Sequence, residues 1–400
     1  LYRYDEEYCI CIEYKENCMI IGIDARLWSE GGVGRYIRNL IKQLQILDRK
    51  NEYILFMRSE DRQKFEIRNS KFEIKIADIR WHSIEEQLRF VNVLNRENLD
   101  LMHFPYISVP IFYNKPFVVT IHDLIPFHFS TGEASTLSLS LYKLKFLGYK
   151  FILSAAAKKA KKIITVSNAT KKEIADHLKV SEDKVRVTYE GIDDKITNPK
   201  SQIPNKFQNT KYKILNTKYF LYVGNAFPHK NLERLLEAFN ILISQYPNIL
   251  LVFVGKEDFF YKRLKSEVYK RRISNIVFLH NITDEQLGSL YKSALALVSP
   301  SFMEGFGLPA LEAMANNCLV LASDIPAHRE ICENAAIYFN PHNEEDVRKK
   351  MEGVYFNDLN HFSKNVKIGL ERAKKFSWEK MARETLRVYE SCFDHYYHNY

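Results

Sequence analysis

Short apolar runs alternate with longer amphipathic stretches along almost the whole chain, and this alternation constrains the fold more than any other feature. In the first half the runs read IIGIDA, YILFM, FEIKIA, LDLMHFP, FVVTIHD, KIITVS and VRVTYEG. In the second they read YFLYVG, ILLVFVG, NIVFLH, LALVSPS, CLVLASD and AAIYFN. Stretches such as VGRYIRNLIKQLQIL, NATKKEIADHLKV and NLERLLEAFNILISQY separate several of them. In the last, Leu232, Leu235, Leu236 and Phe239 recur at helical spacing. The pattern predicts βαβ units, parallel sheets and helices on both faces. The polar stretch from Asp193 to Lys213, with two prolines and no apolar period, divides the chain. A length of 400 residues also favours two domains. The expected organisation is a leader over 1–18, an N-terminal parallel α/β domain over 19–200, a linker over 201–213, a second such domain over 214–375 and a closing helix over 376–400. Ligands in such sheets bind beyond the carboxyl ends of the strands, so the residues that directly follow the strands are the informative ones.

Composition narrows the class. No run of 18 apolar residues is present, so no membrane-spanning helix is expected. The acidic start LYRYDEEYCICIEYKENC lacks the charge and apolar pattern of a signal peptide. It reads as an extension before a native start at Met19. Three of the six cysteines fall in it, and the others (Cys318, Cys332, Cys392) lack metal-ligand spacing. A reduced, cytoplasmic protein is expected. The formal charge is +9, and the stretch from Ala134 to Lys172 holds nine lysines and no acid. Such a surface attracts phosphates in nucleic acid, anionic lipid or substrate, or is simply a solvated helix face.

The densest functional string is Glu304-Gly305-Phe306-Gly307-Leu308-Pro309-Ala310-Leu311-Glu312, after LALVSPS. Pro309 suits the first turn of a helix. Gly305 and Gly307 let backbone approach a ligand, and the helix-start N–H groups favour a diphosphate. Glu304 precedes the loop and Glu312 lies on the helix, so both can face one cleft and accept hydrogen bonds from hydroxyls. Lys230 at a helix start opposes the helix dipole and points to a bound anion; a chance surface lysine is the plainer reading. His122 ends a strand and is either a site residue or a buried, hydrogen-bonded histidine. His103 is kept outside the catalytic set. Gly31-Gly32-Val33-Gly34 is by itself a weak motif.

EGFGLPALE resembles the Glu-x7-Glu motif of the retaining family-4 glycosyltransferases of GT-B fold. The resemblance extends in order through IGIDAR, GGVGRYIRNL, TIHDLIP, IITVSNATKKEI, YEGID and LYVGNAFPHKNLERLLEAF, from Met19 to about Phe376. Its flavour is that of bacterial mannosyltransferase-like members. It implies two Rossmann-like domains facing across a cleft, with the last helix returning to the first domain. It implies Glu304 on donor-sugar hydroxyls, Glu312 on the ribose, and backbone amides of Gly305, Phe306, Gly307 and Leu308 on sugar and phosphate. Gly32, Gly34 and Arg35 would lie by the diphosphate, Lys230 would neutralise it, His122 would sit by the reacting sugar, and Gly255 and Lys256 would lie along the nucleotide. Many members carry an arginine where this chain has Asn225 or His229, so Lys230 would lean on a protonated His229 or another cation. The implied activity is retaining transfer of a hexose, mannose favoured, to a saccharide or lipid-linked saccharide in surface polysaccharide or glycolipid synthesis. No metal and no cofactor are expected; the donor is a nucleotide diphosphate sugar such as GDP-mannose. The lysine stretch suggests peripheral contact with an anionic membrane at the inner face of the cytoplasmic membrane. The rival readings are another GT-B enzyme such as an epimerase, a catalytically weak transferase-like protein, and a nucleic-acid-binding protein. The last lacks a recognised binding module, so no nucleic-acid partner is expected.

Overall fold

The computed structural model describes residues 18–129, 139–197, 217–357 and 359–393. The expected linker over 201–213 and the expected leader, except Cys18, lie outside these residues. The first domain is built on a parallel sheet of β1 (Ile20–Asp24), β2 (Glu52–Met57), β3 (Phe72–Ile76), β4 (Leu101–Phe104), β5 (Phe117–Ile121), β6 (Lys162–Thr165) and β7 (Val185–Val187), in spatial order β3-β2-β1-β4-β5-β6-β7. The second is built on β8 (Lys218–Val223), β9 (Ile249–Val254), β10 (Ile276–Leu279), β11 (Ala296–Ser299), β12 (Val320–Ser323) and β13 (Ile337–Phe339), in order β10-β9-β8-β11-β12-β13. Every adjacent pair is parallel. Parallel strands need helical crossovers that cover both faces, which is why runs such as ILLVFV in β9 are buried along their whole length.

Strand order reverses between β1 and β4 in the first sheet and between β8 and β11 in the second. The loops after these strands splay apart and leave a crevice at the carboxyl edge. The segments so placed carry Gly31–Gly34, Pro105, Lys230 and Glu304–Gly307, and His122 follows β5 one strand away.

The last described helix, Trp378–Phe393, buries Trp378, Met381, Ala382, Thr385, Val388, Tyr389 and Cys392. Spacings of three and four put these on one stripe, and the stripe joins the first domain's core beside Met19, Tyr36 and Leu40. His103 fixes this return. Fully buried at the end of β4, it bonds Tyr389 Oη through Nδ1 (2.6 Å) and Thr120 Oγ1 through Nε2 (2.8 Å). Burial drives its pKa down to about 3, so the ring is neutral at pH 7. Tyr389→Phe leaves a buried ring nitrogen without a partner and should cost about 1–3 kcal/mol of unfolding free energy. Urea denaturation checks this; an unchanged midpoint would mean that the bond contributes nothing.

Candidate active site

The loop after β8 turns sharply to deliver Lys230. Pro228–Lys230 forms a single 3-10 turn, and Asn231 follows in the left-handed region at φ 57°. Asn231 Nδ2 donates to the carbonyls of Pro300 (3.0 Å) and Pro341 (2.9 Å), and Phe302 N donates to His229 O (2.8 Å). These bonds lash the turn to the loop after β11. Lys230 Nζ then reaches both oxygens of Glu304, at 2.7 and 2.8 Å, while Ser301 Oγ adds a third bond at 2.6 Å. Burial pushes the Glu304 pKa up, but the Lys230 charge, His328 and the hydroxyl outweigh it and hold it down to about 2. Glu304 is therefore an anion at any physiological pH.

His229 does not assist as a cation. Its ring is buried near Phe129 and Phe227, and burial together with the Lys230 charge lowers its pKa to about 4. The protonated His229 considered from the sequence is thus absent at neutral pH. Asn225 is exposed and accepts from Phe227 N (3.3 Å) within its own turn.

Between Glu304 and Glu312 the chain passes through Gly307, at φ 98°, into the helix Leu308–Ala315, with Pro309 in its first turn and no side-chain cap. A β-carbon is strained at that φ. Phe306 is a core anchor, packed near Tyr189 and Phe376, so only its backbone can face a ligand. Leu308 packs against the cores of both domains. Glu312 is buried; Tyr291 Oη donates to Oε2 at 2.9 Å, and Arg35 Nη1 donates to Oε1 at 2.5 Å. Arg35 comes from the other domain, on the helix Gly31–Leu47, and also reaches Asp284 (2.6 Å) and Asp193 (3.5 Å). It thus pairs with three carboxylates in the cleft, one positive charge among three acids. Burial raises the Glu312 pKa to about 6 against the opposing pull of Arg35 and Tyr291.

His122 faces the cleft from the first domain. Its Nε2 bonds Pro105 O (2.9 Å), its Nδ1 lies 3.6 Å from Glu190, and its ring meets Tyr36 edge-on at 4.9 Å. A ring held on three sides is oriented, and both nitrogens already have neighbours. Gly32 is exposed on the cleft wall and Gly34 is buried beneath it. That wall, with Trp81, Tyr106, Lys145 and Phe227, bounds a cleft of about 770 Å³. Gly255 ends β9 with its carbonyl accepting from His280 Nδ1 (2.7 Å), and Lys256 beside it is exposed. The structure therefore groups Lys230 with Glu304, and Arg35 with Glu312. Sequence reasoning missed Tyr291, Asp284, Asp193 and Glu190. Tyr291 and Asp284 lie on a helix interior and a helix start with no local signal beyond their type, whereas Glu190 and Asp193 fall in the YEGID segment that carries the resemblance. Among the described residues no group of three or more His, Cys, Asp or Glu stands where it could hold a metal ion.

Two parallel-sheet domains with paired acids and cations at facing carboxyl edges define a GT-B glycosyltransferase architecture. The family model described as Glycosyltransferase Family 4 matches residues 30–195, and that described as Glycosyl transferases group 1 matches residues 205–368. The chain belongs to the family-4, group 1 glycosyltransferases. It is 27% identical over 288 residues to the O-antigen chain mannosyltransferase RfbU of Salmonella typhimurium, covering 72% of this chain and 74% of that protein. It is 30% identical over 240 residues to the O-antigen chain mannosyltransferase B of Escherichia coli, covering 58% of this chain and 61% of that one. Among solved structures it is similar to a sucrose-phosphate synthase of Thermosynechococcus elongatus (TM-score 0.76, 20% identity, 94% of this chain and 99% of that one). It is also similar to HepE of Anabaena in complex with UDP-glucose (TM-score 0.72, 17% identity, 93% of this chain and 100% of that one).

A carboxylate accepts hydroxyl protons at four lone-pair sites, whereas its acid form loses part of that capacity. Glu312 takes up its proton as pH falls through about 6. Nucleoside diphosphate affinity should therefore fall between pH 7.5 and 5, and Glu312→Gln should weaken binding at pH 7.5 and flatten the profile. Titration calorimetry at both pH values decides. A wild-type profile that Glu312→Gln leaves unchanged would remove Glu312 from the nucleotide site.

Proposed function

We propose that the chain transfers a hexosyl group, mannose, from a nucleoside diphosphate donor such as GDP-mannose to a saccharide or lipid-linked saccharide. Anomeric configuration is retained and no metal ion takes part. The observation that carries this reading is the Lys230–Glu304 pair at the carboxyl edge of the second sheet, eight residues before the buried Glu312. Breaking the anomeric bond leaves negative charge on the diphosphate. Lys230, the loop amides and the uncapped helix start at Leu308 supply preorganised positive charge for it. Glu304, an anion throughout, accepts from sugar hydroxyls; Glu312 accepts from the ribose. His122 lines the reacting face, and the acceptor hydroxyl attacks from the side the diphosphate leaves, passing its proton to the departing phosphate. The mannosyl preference and the surface-polysaccharide setting are supported by the names of the relatives, two O-antigen chain mannosyltransferases.

The acceptor's lipid is met, in this reading, by the helix Leu139–Lys159. Leu144, Leu147 and Phe151 recur on one face and are 69%, 64% and 64% exposed, with Lys143 and Lys150 alongside. Lys145 of the same helix borders the cleft together with Ile84, itself 81% exposed. An apolar stripe among lysines fits the interface of an anionic bilayer on the cytoplasmic side. No described helix is long and apolar enough to cross a membrane. Lys158–Lys162, at the end of the lysine stretch, suit this contact less, since two of their side chains are already engaged. Lys159 Nζ is bound to Ile111 O (2.7 Å) and Asn114 Oδ1 (2.9 Å), and Lys162 Nζ reaches Asp183 O (3.3 Å).

Lys230→Ala should lower kcat on the order of 10²–10³-fold, and activity should survive EDTA. Abolition by chelator with recovery on adding magnesium would overturn the metal-free part. Sedimentation with phosphatidylglycerol vesicles should show salt-sensitive binding that Leu147→Asp with Phe151→Asp abolishes. Equal recovery on neutral vesicles, or indifference to both substitutions, would sink the membrane reading.

A further inference from the structure

The loop that carries the site is held by the opposite domain. Ser167, two residues past β6, caps the helix Asn168–Leu178, its Oγ accepting from Thr170 N at 3.1 Å. The same hydroxyl donates to the carbonyl of Gly305 at 2.6 Å, and Thr170 Oγ1 donates to that oxygen at 3.2 Å. Both side chains are buried, at 0% and 3% exposure. On its other side Gly305 abuts backbone: a β-carbon there would lie 2.1 Å from His122 O. The Gly305 peptide is therefore gripped between the ends of β5 and β6.

The carbonyl of Gly305 and the N–H of Phe306 belong to one planar peptide unit and point in opposite directions. Two donors on the carbonyl fix the direction of the amide. Among the described residues that Phe306 N–H donates to no backbone or side-chain acceptor. Orphan N–H groups in a protein interior are uncommon, so this one is aimed rather than consumed. The grip exists only with the domains docked, and the same helix start carries the dock. Glu330 of the second domain accepts from Asn168 N (2.7 Å), Ala169 N (2.8 Å), Asn168 Nδ2 (2.9 Å) and Tyr189 Oη (2.8 Å).

We propose that Ser167 and Thr170 are positioning residues for sugar transfer: through the Gly305 carbonyl they aim the Phe306 amide at the donor, and only in the docked arrangement. The transfer machinery is thereby completed by closure, which keeps an open molecule from hydrolysing bound donor. This rests on the transfer reading above.

Thr170→Val is the cleanest variant, since it removes one donor to Gly305 and leaves the Ser167 cap in place. With GDP-mannose as donor, Thr170→Val combined with Ser167→Ala should lower kcat on the order of 10²-fold. The Kd for GDP should stay within about twofold, because the lost alignment acts on the reacting sugar. Thr170→Ser in the otherwise wild-type chain, which keeps both hydroxyl donors, should retain wild-type kcat. Unchanged kcat in the double variant would overturn the proposal. So would parallel losses of kcat and GDP affinity in the double variant, or a Thr170→Ser variant as slow as Thr170→Val, since either marks a merely structural role. Wild-type protein that binds GDP yet turns over no GDP-mannose would sink the transfer reading itself, and the proposal with it.

Discussion

Two carboxylates withdrawn from water at one sheet edge set the terms for the rest of this structure. Glu304 and Glu312 lie on either side of a glycine-rich turn, and a buried anion is tolerated only with a cation or several donors beside it. Each finds its cation on a different element. Lys230 comes from the neighbouring strand end of the same domain, so the Glu304 pair is complete within one sheet. Arg35 comes from the first domain, so the neutralisation of Glu312 depends on how the two domains meet. One site is a fixed part of the second domain and the other is shared across the cleft. The opposite pKa shifts follow: the locally satisfied Glu304 is held at about 2, and Glu312 is left at about 6.

The domain contact joins apolar packing, with Val166 and Ile196 buried in the second domain's core, to backbone and short polar groups. Gly305 against His122 O, the hydroxyls of Ser167 and Thr170, and Glu330 on the start of the Asn168–Leu178 helix are all short-range and geometrically demanding. Contacts of this kind fix an angle more than they add affinity, because hydrogen bonds weaken steeply with misalignment. Docking therefore defines the geometry of the glycine loop without locking the cleft permanently. The closing helix works differently. Its apolar stripe and the His103–Tyr389 bond tie the end of the chain into the first domain's core.

The parallel architecture was legible because period and length both pointed one way. Thirteen apolar runs in the sequence correspond to thirteen strands among the described residues, and most runs are followed by glycine, proline or a helix cap. The placement of Glu304, Glu312 and Lys230 beyond strand ends was legible because glycine, proline and helix-start signals follow β8 and β11. The detail that the structure corrects concerns protonation. His229 looks available for protonation in sequence, but its burial beside a lysine makes it neutral. Lys159 stays exposed while donating to a backbone carbonyl, and Lys162 does the same from a half-buried position. Neither burial nor a carbonyl's location is encoded within a few residues of the side chain concerned.

The elements, the two sheets and the strand-end placement of the acids are written in the sequence, because side-chain periodicity and turn chemistry are local properties. Only the tertiary structure decided who neutralises whom. Arg35 and Glu312 are separated by 277 residues, and Ser167 and Gly305 by 138. Such pairs form when the carboxyl edges of two separately wound sheets are brought face to face, and that distance and angle are set by the packing of whole domains.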